Sequence, residues 1–284
     1  MNEDARVRPP VRAVLTIAGS DSGGGAGIQA DLKTFAALGV YGTSAVTAIT
    51  AQNTVGVTAA FSLAADLVTA QVEAVASDIS LHAVKTGMLG NAAIVEAVAA
   101  AIAELDLPHV VVDPVMLAKS GDKLLDDDGV QTMVKELLPR AMVVTPNIPE
   151  AQALTGLTIR SLDDVRRAAA HIGKLGAKPG RKGAGTAGLS VVVTGGHAPG
   201  DDLVDLLYYD GIFLPLHTPR IETRNTHGTG CTFASALAAY LALGHGLPEA
   251  TSHAQAYVAG AIRHGLAIGH GHGPLDHFWN VRRG

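Results

Sequence analysis

Short runs of aliphatic and β-branched residues alternate along this chain with longer stretches in which apolar positions recur every three or four residues. The runs Ala13–Ala18, Thr43–Thr50, Ala83–Thr86, Val110–Asp113, Met142–Thr145, Leu189–Thr194, Val204–Tyr209 and Ile212–Leu216 predict strands. Most are continuously apolar, the pattern of strands covered on both faces. The stretches Ile28–Leu38, Ala65–Ser77, Ala92–Leu105, Asp127–Leu137, Pro149–Leu154, Leu162–Leu175, Thr232–Leu243 and Pro248–Ala267 predict helices. Strand and helix in alternation imply an α/β fold with a mostly parallel sheet wound on both faces. No internal repeat or long polar linker divides the chain, so residues 11–284 read as one domain. Residues 1–10 are charged, end in proline, lack an apolar segment and read as a disordered tail.

Composition narrows the picture. Only 17% of the 284 residues are charged and the net charge is −5, which does not attract nucleic acid or an anionic membrane. Aromatic residues make up 4%, so the core is built from Ala, Val, Leu and Ile, with helices packed closely on the sheet. The single cysteine excludes a disulfide framework and fits a reducing cytoplasm. Apolar runs such as Ala97–Ala103 are far too short to span a membrane.

The segment Arg224-Asn-Thr-His-Gly-Thr-Gly-Cys231 runs into a helix of small residues. Gly228, Thr229, Gly230 and Cys231 free successive backbone N–H groups at the positive end of a helix dipole, which makes an anion hole. Cys231 sits on its rim. The field there favours a thiolate able to serve as a base, although a small cysteine can also simply pack.

A second glycine-rich segment, Gly19-Ser-Asp-Ser-Gly-Gly-Gly-Ala-Gly27, follows the first strand. Gly25 to Ala30 fits a dinucleotide fingerprint, but no Asp or Glu lies between Asp31 and Asp66 to hold a ribose. No Gly-Lys-Ser/Thr closes a phosphate-binding loop. The remaining readings are a tight strand-to-helix turn and a turn that lets backbone approach a small ligand.

Other candidates lie at strand ends, where ligands bind in open parallel sheets. Gln52 ends the second strand, and its amide suits a heteroaromatic ring with adjacent acceptor and donor. Asp31 is placed to join it, or to face the helix dipole. Asp113 closes the strand Val110–Asp113 and Glu150 follows the strand Met142–Thr145, and both could reach Mg²⁺ on nucleotide phosphates; alternatively Asp113 is a cap and Glu150 a first-turn acid offsetting the helix dipole. Thr194-Gly195-Gly196 offers another close approach for a nucleotide. Gly269-His-Gly-His-Gly-Pro274 with His277 looks metal-rich by composition, but its loop-like spacing does not favour a site. Lys178–Gly188, rich in Gly and basic residues, predicts an exposed, mobile loop.

Taken in order, the segments Ala18–Asp31, Thr50–Thr54, Lys85–Leu89, Asp113–Gly121, Thr145–Glu150 and Asn225–Cys231 resemble the ribokinase-like superfamily. Within it they are similar to the hydroxymethylpyrimidine/phosphomethylpyrimidine kinases of thiamine biosynthesis. The resemblance implies a three-layer αβα sandwich without a separate lid domain, usually dimeric. It implies two ATP- and Mg²⁺-dependent phosphorylations, of 4-amino-5-hydroxymethyl-2-methylpyrimidine and then of its monophosphate, and leaves a monovalent cation open.

Gln52 would then bind the aminopyrimidine edge, with Ala26, Asp31 and Met88 around it. Asp113 and Glu150 would organise Mg²⁺, and Gly228 to Cys231 the anion hole, with Cys231 where most sugar kinases of the superfamily carry an aspartate base. Thr194, Gly196, Thr226 and Lys119 would meet the nucleotide. Thr194 stands where family members often carry a phosphate-binding lysine, for which Lys119 or Arg224 could compensate. Pyridoxal kinase is the neighbouring alternative within the superfamily. A non-catalytic, ligand-binding regulator is the alternative outside enzyme function, and the joint presence of Cys231, Asp113 and Glu150 speaks against it.

Overall fold

The computed structural model describes residues 10–117, 121, 123–176, 188–197 and 202–281. Nine strands form one sheet, in the order β3-β2-β1-β4-β5-β6-β7-β8-β9. The strands are β1 (Ala13–Asp21), β2 (Tyr41–Gln52), β3 (Val57–Ser62), β4 (Leu81–Thr86), β5 (Val110–Val112), β6 (Val143–Val144), β7 (Ser190–His197), β8 (Asp202–Tyr209) and β9 (Ile212–Pro219). Those from β2 to β7 in the spatial order pair parallel, while β3 at one edge and the β8–β9 hairpin at the other are antiparallel.

Period-two alternation along buried strands divides the core in two. Leu15, Ile17, Val84, Val110 and Val112 face one layer, with α2 (Ala65–Ala76), α3 (Ala92–Glu104) and α6 (Leu162–Leu175). Val14, Ala83, Val111, Val143 and Val192 face the other, with α1 (Gly27–Ala37), α7 (Thr229–Ala242) and α8 (Leu247–Arg263). The result is the expected αβα sandwich. Alanine covers much of α7, where Ala234, Ala236, Ala238 and Ala239 are all buried, so this helix lies close on the sheet.

Four elements differ from expectation. Strand β3 was not expected. It is a mostly exposed edge strand whose sequence carries no buried face to read. The predicted helix over 127–137 divides into α4 (Asp127–Thr132) and a π turn over Met133–Leu137. Helix α7 starts three residues earlier than predicted, at Thr229, so the Gly-Thr-Gly-Cys segment is itself the first turn. Helix α8 ends at Arg263, just before Gly265, rather than at Ala267. The β8–β9 turn is an Asp-Gly pair with φ +52° at Asp210 and +80° at Gly211, as a two-residue hairpin requires. The expected tail and the Gly-rich loop fall outside the described residues, apart from Pro10 and Gly188.

Candidate active site

The carboxyl ends of the parallel strands deliver Asp21 (β1), Gln52 (β2), Lys85 and Thr86 (β4), Asp113 (after β5), Asn147 and Glu150 (after β6) and Thr194 (β7) to one edge of the sheet. The two glycine-rich segments meet there. Gly228 caps α7 with φ +83°, and a Cβ added to it would collide with the carbonyl of Gly25. A Cβ on Gly25 would in turn strike His227, and one on Gly27 (φ +56°) the carbonyl of Gly19. Glycine at 228 therefore serves both a backbone conformation and a backbone-to-backbone contact.

No side chain caps the start of α7, and its first turn carries no acid. The N–H groups of Thr229, Gly230 and Cys231 are those a helix leaves without an internal acceptor. Asp113 Oδ1 lies 4.0 Å from where a Cβ of Gly230 would stand, which puts the acidic group beside the hole. The hydroxyl of Thr229 donates to Thr226 O (2.8 Å), making Thr226 part of the turn that leads into the hole.

Asp21 holds the first glycine-rich loop. Its carboxylate accepts from the N–H of Gly23 (2.8 Å), Gly25 (3.1 Å) and Ala26 (2.8 Å). Burial alone would raise its pKa, but the His227 contact and these N–H groups outweigh that and hold it below the ordinary range. His227 Nε2 stands 3.0 Å from Asp21 Oδ2 and 3.4 Å from Gln52 Nε2. The carboxylate only accepts, so Nε2 carries the proton and donates to Asp21. Two donors then face each other across the longer distance, which leaves the Gln52 amide N–H uncommitted to His227. Thr50 Oγ1 lies 3.1 Å from Gln52 Oε1 and steadies the amide. Sequence reasoning gave neither Asp21 nor His227 a role, because their partnership joins residues 206 apart.

Beneath the anion hole lies a buried charge cluster that sequence reasoning also missed. Lys85 is completely buried, with Nζ 3.0 and 2.9 Å from the oxygens of Asp31 and 3.9 Å from Asp113 Oδ2. Asp31 also accepts from Thr16 Oγ1 and Ser235 Oγ, each at 2.6 Å, and has no exposed surface. The expected direct contact of Asp31 with substrate is thus corrected. All of its acceptor capacity faces inward, where it anchors the lysine. Lys85 is pushed down by burial and up more strongly by Asp31, so it remains protonated.

The expected depressed thiol is also corrected. Burial pushes the Cys231 thiol up to about 12 despite the charge of Lys85, and Asp113 and Asp31 add to the rise. Desolvation and two nearby carboxylates outweigh the helix start. The thiol lies within hydrogen-bonding reach of Asp113.

Asp113 and Glu150 lie near enough for the charge of one to act on the other. Burial raises Asp113 to about 6. Burial and then the charge of Asp113 raise Glu150 to about 8. Glu150 is also the acid of a capping box, accepting from Asn147 N at 2.9 Å, and so a first-turn acid of its helix, the alternative role that the sequence offered. Asp113 Oδ2 is buried without a hydrogen-bond partner. An orphaned carboxylate oxygen beside a second, proton-hungry carboxylate is a donor set that fits a hard divalent cation.

The other expected residues fall as follows. Ala26 is the N-cap residue of α1 and is partly buried. Met88 is partly buried, and its sulfur packs against Gly19. Thr194 N donates to Pro146 O (2.9 Å), which sets it beside the Glu150 segment, and Gly196 pairs with Val204 in the sheet. Lys119 lies outside the described residues. His277 is buried, its pKa lowered to about 4 by burial, and contacts Thr232 Oγ1 at 3.1 Å. The Gly273 carbonyl accepts from His227 N (3.1 Å), so the C-terminal tract braces the anion loop.

A mostly parallel αβα sandwich whose strand ends carry paired carboxylates, facing an uncapped helix start that bears a cysteine, has the architecture of a ribokinase-like small-molecule kinase. The phosphomethylpyrimidine kinase family model matches residues 21–276. The chain is 49% identical to the hydroxymethylpyrimidine/phosphomethylpyrimidine kinase of Bacillus subtilis (strain 168), over 93% of this chain and 94% of that one. Among solved structures, phosphomethylpyrimidine kinase from Clostridium difficile 630 aligns with TM-score 0.75 and 42% identity, covering 88% of this chain and 99% of that one. Staphylococcus aureus pyridoxal kinase in complex with AMP-PCP and pyridoxal aligns with TM-score 0.84 and 38% identity, over 96% of each chain. The chain belongs to the phosphomethylpyrimidine kinase family.

The raised carboxylates have a measurable consequence. A carboxyl whose folded pKa is raised contributes stability at low pH that is lost as pH climbs through the folded value. Without divalent cation, the melting temperature should fall by roughly 3 °C or more between pH 5.5 and 8.5 on account of Asp113 and Glu150. Added Mg²⁺ needs both groups deprotonated, so its stabilising shift should grow over the same range. Thermal melts with and without MgCl₂ test this. A Mg²⁺ shift independent of pH would count against the pair as its ligands.

Proposed function

We propose that this chain transfers the γ-phosphoryl group of ATP to the hydroxymethyl group of 4-amino-5-hydroxymethyl-2-methylpyrimidine, and then a second to the monophosphate, in thiamine biosynthesis. The observation that carries the reading is the start of α7. It presents three N–H donors that the helix itself leaves without an acceptor, beside Cys231 and Asp113, at the sheet edge that also bears Gln52. Phosphoryl transfer needs alignment and charge neutralisation more than covalent help, and this arrangement supplies both.

In this reading the γ-phosphoryl group rests on the N–H groups of Gly228 to Cys231, and the substrate hydroxyl is set against Cys231. The thiol is protonated at rest, so it takes the hydroxyl proton only as it passes its own to the carboxylate of Asp113. The substrate oxygen forms the new bond to the γ-phosphorus as the bond to the β–γ bridging oxygen breaks and ADP leaves; the substrate O–H breaks, one S–H bond is exchanged, and one carboxyl O–H forms. One oxygen of Asp113 is assigned to Mg²⁺ and the other accepts this proton. Lys85 and Asp31 keep Asp113 and Cys231 in place from below. Asp113 and Glu150 would hold Mg²⁺, which when bound neutralises phosphate charge. Thr194, Gly196, Thr226 and Lys119 are assigned to the nucleotide, and Ala26 and Met88 to the walls of the pyrimidine pocket beside Gln52.

The Gln52 amide reads the aminopyrimidine edge. Losing a hydrogen-bonding group from a polar site can cost roughly 10⁴ in specificity in strong cases. Gln52→Met should therefore depress kcat/KM for the aminopyrimidine far more than for pyridoxal. Equal losses on the two substrates would remove Gln52 from this role.

Pyridoxal phosphorylation is the second reading, favoured by the TM-score of 0.84 to a kinase that holds pyridoxal. The higher identity, 49%, lies with the pyrimidine kinase.

A homodimer is also proposed. Ile49, Val55 and Phe61 stand 54%, 68% and 71% exposed on and beside the β2–β3 edge, an apolar face suited to a second copy. Sedimentation velocity giving a monomer at micromolar concentration would refute it. A cytoplasmic location is proposed from the single cysteine, which suits a reducing compartment; separately, no helix among the described residues is long and apolar enough to cross a membrane.

A further inference from the structure

The turn between α7 and α8 lies at the end of α7 opposite the anion hole, about 20 Å away along a helix of 14 residues. His245 precedes α8, Glu249 is in its first turn, and His253 lies one turn further on. The spacing of four and four residues puts all three on one face. His245 Nδ1 is 3.2 Å from Glu249 Oε2, and His253 Nε2 is 3.5 Å from Glu249 Oε1. One ligand atom from each residue lies within 4.8 Å of the other two. The ring of Tyr240 backs both imidazoles, with centroids 5.6 Å from His245 and 5.1 Å from His253.

We propose that His245, Glu249 and His253 form a binding site for a late first-row divalent cation, best matched by Zn²⁺, that ties the start of α8 to the end of α7. Tetrahedral donors at zinc distances stand about 3.3 Å apart, so two of the three pairs already have the required separation. Small rotations of the exposed His253 side chain bring in the third. Two imidazole nitrogens select zinc, copper or nickel over magnesium, which separates this site in ligand chemistry from the paired carboxylates of the active site. The two rings already draw Glu249 into its ionised form, His245 foremost. Three protein ligands leave a fourth position for water or a small anion. Binding requires both imidazole nitrogens that face Glu249 to be free of their protons, so metal uptake releases protons.

The test is calorimetric titration of the untagged full chain with ZnCl₂ in excess MgCl₂. The expected result is one Zn²⁺ per chain. His253→Ala and Glu249→Gln should each weaken it by at least about tenfold, with kcat unchanged. His253 and Glu249 are exposed, so both variants should keep the native circular dichroism spectrum. Co²⁺ loading should give an absorption spectrum without a thiolate charge-transfer band. Undiminished affinity in His253→Ala would overturn the proposal. So would a thiolate band, which would place the metal on Cys231, or an equal loss in His270→Ala or His272→Ala, which would place it on the C-terminal tract.

Discussion

Lys85→Met is expected to lower the melting temperature by about 10 °C and to abolish most phosphoryl transfer. Lys85 is completely buried and is the cation common to Asp31 and Asp113. Removing one partner of a buried ion pair typically costs about 3–5 kcal/mol, because the remaining charge has neither solvent nor counter-ion. For a chain of this size each kcal/mol is worth about 2–3 °C. Methionine fills a similar volume, so the loss reports charge more than cavity. The electrostatic origin can be separated from packing by the double variant Lys85→Met/Asp31→Asn. It should recover part of the stability while leaving activity low, because Asp113 and Cys231 still lack the positive charge that opposes their protonation. A melting temperature within 2 °C or so of the wild type in the single variant would mean that the cluster contributes little.

Cys231→Ala is expected to reduce kcat for the first phosphorylation by about 10²–10⁴, with KM changing much less. The thiol is the group set between the anion hole and Asp113, so alanine removes the path by which the hydroxyl proton leaves. Because burial holds the thiol up at about 12, Cys231 should also alkylate more slowly at pH 7.5 than a free thiol. The kcat profile should decline on the acid side near pH 6, where Asp113 takes up its proton. Near-full kcat in Cys231→Ala would remove the cysteine from proton transfer. Rapid alkylation at neutral pH would restore the thiolate that the helix start alone suggests.

Much of this molecule is legible in its sequence, for identifiable reasons. Strands such as Val110–Val112 are continuously apolar because helices cover both faces. The strand-end positions of Gln52, Asp113 and Glu150 follow once the sheet is read as parallel. Strand β3 is not legible, since an exposed edge needs no pattern. Nor is the pairing of Asp21 with His227, or of Lys85 with Asp31, because each depends on folding that brings distant segments together. Asp31 illustrates the limit well. Its place near the loop can be read locally, but its inward orientation is set by Lys85, Thr16 and Ser235 from other elements. Cys231 adds a second lesson. A helix start and a burial site push a thiol in opposite directions, and only the packed structure says which is larger.

The central claim concerns which alcohol receives the phosphoryl group, and a coupled assay of ADP release addresses it most directly. Hydroxymethylpyrimidine, its monophosphate and pyridoxal would be compared side by side with ATP and Mg²⁺. The account predicts turnover with the first two and a lower kcat/KM with pyridoxal. Turnover with pyridoxal alone would contradict it.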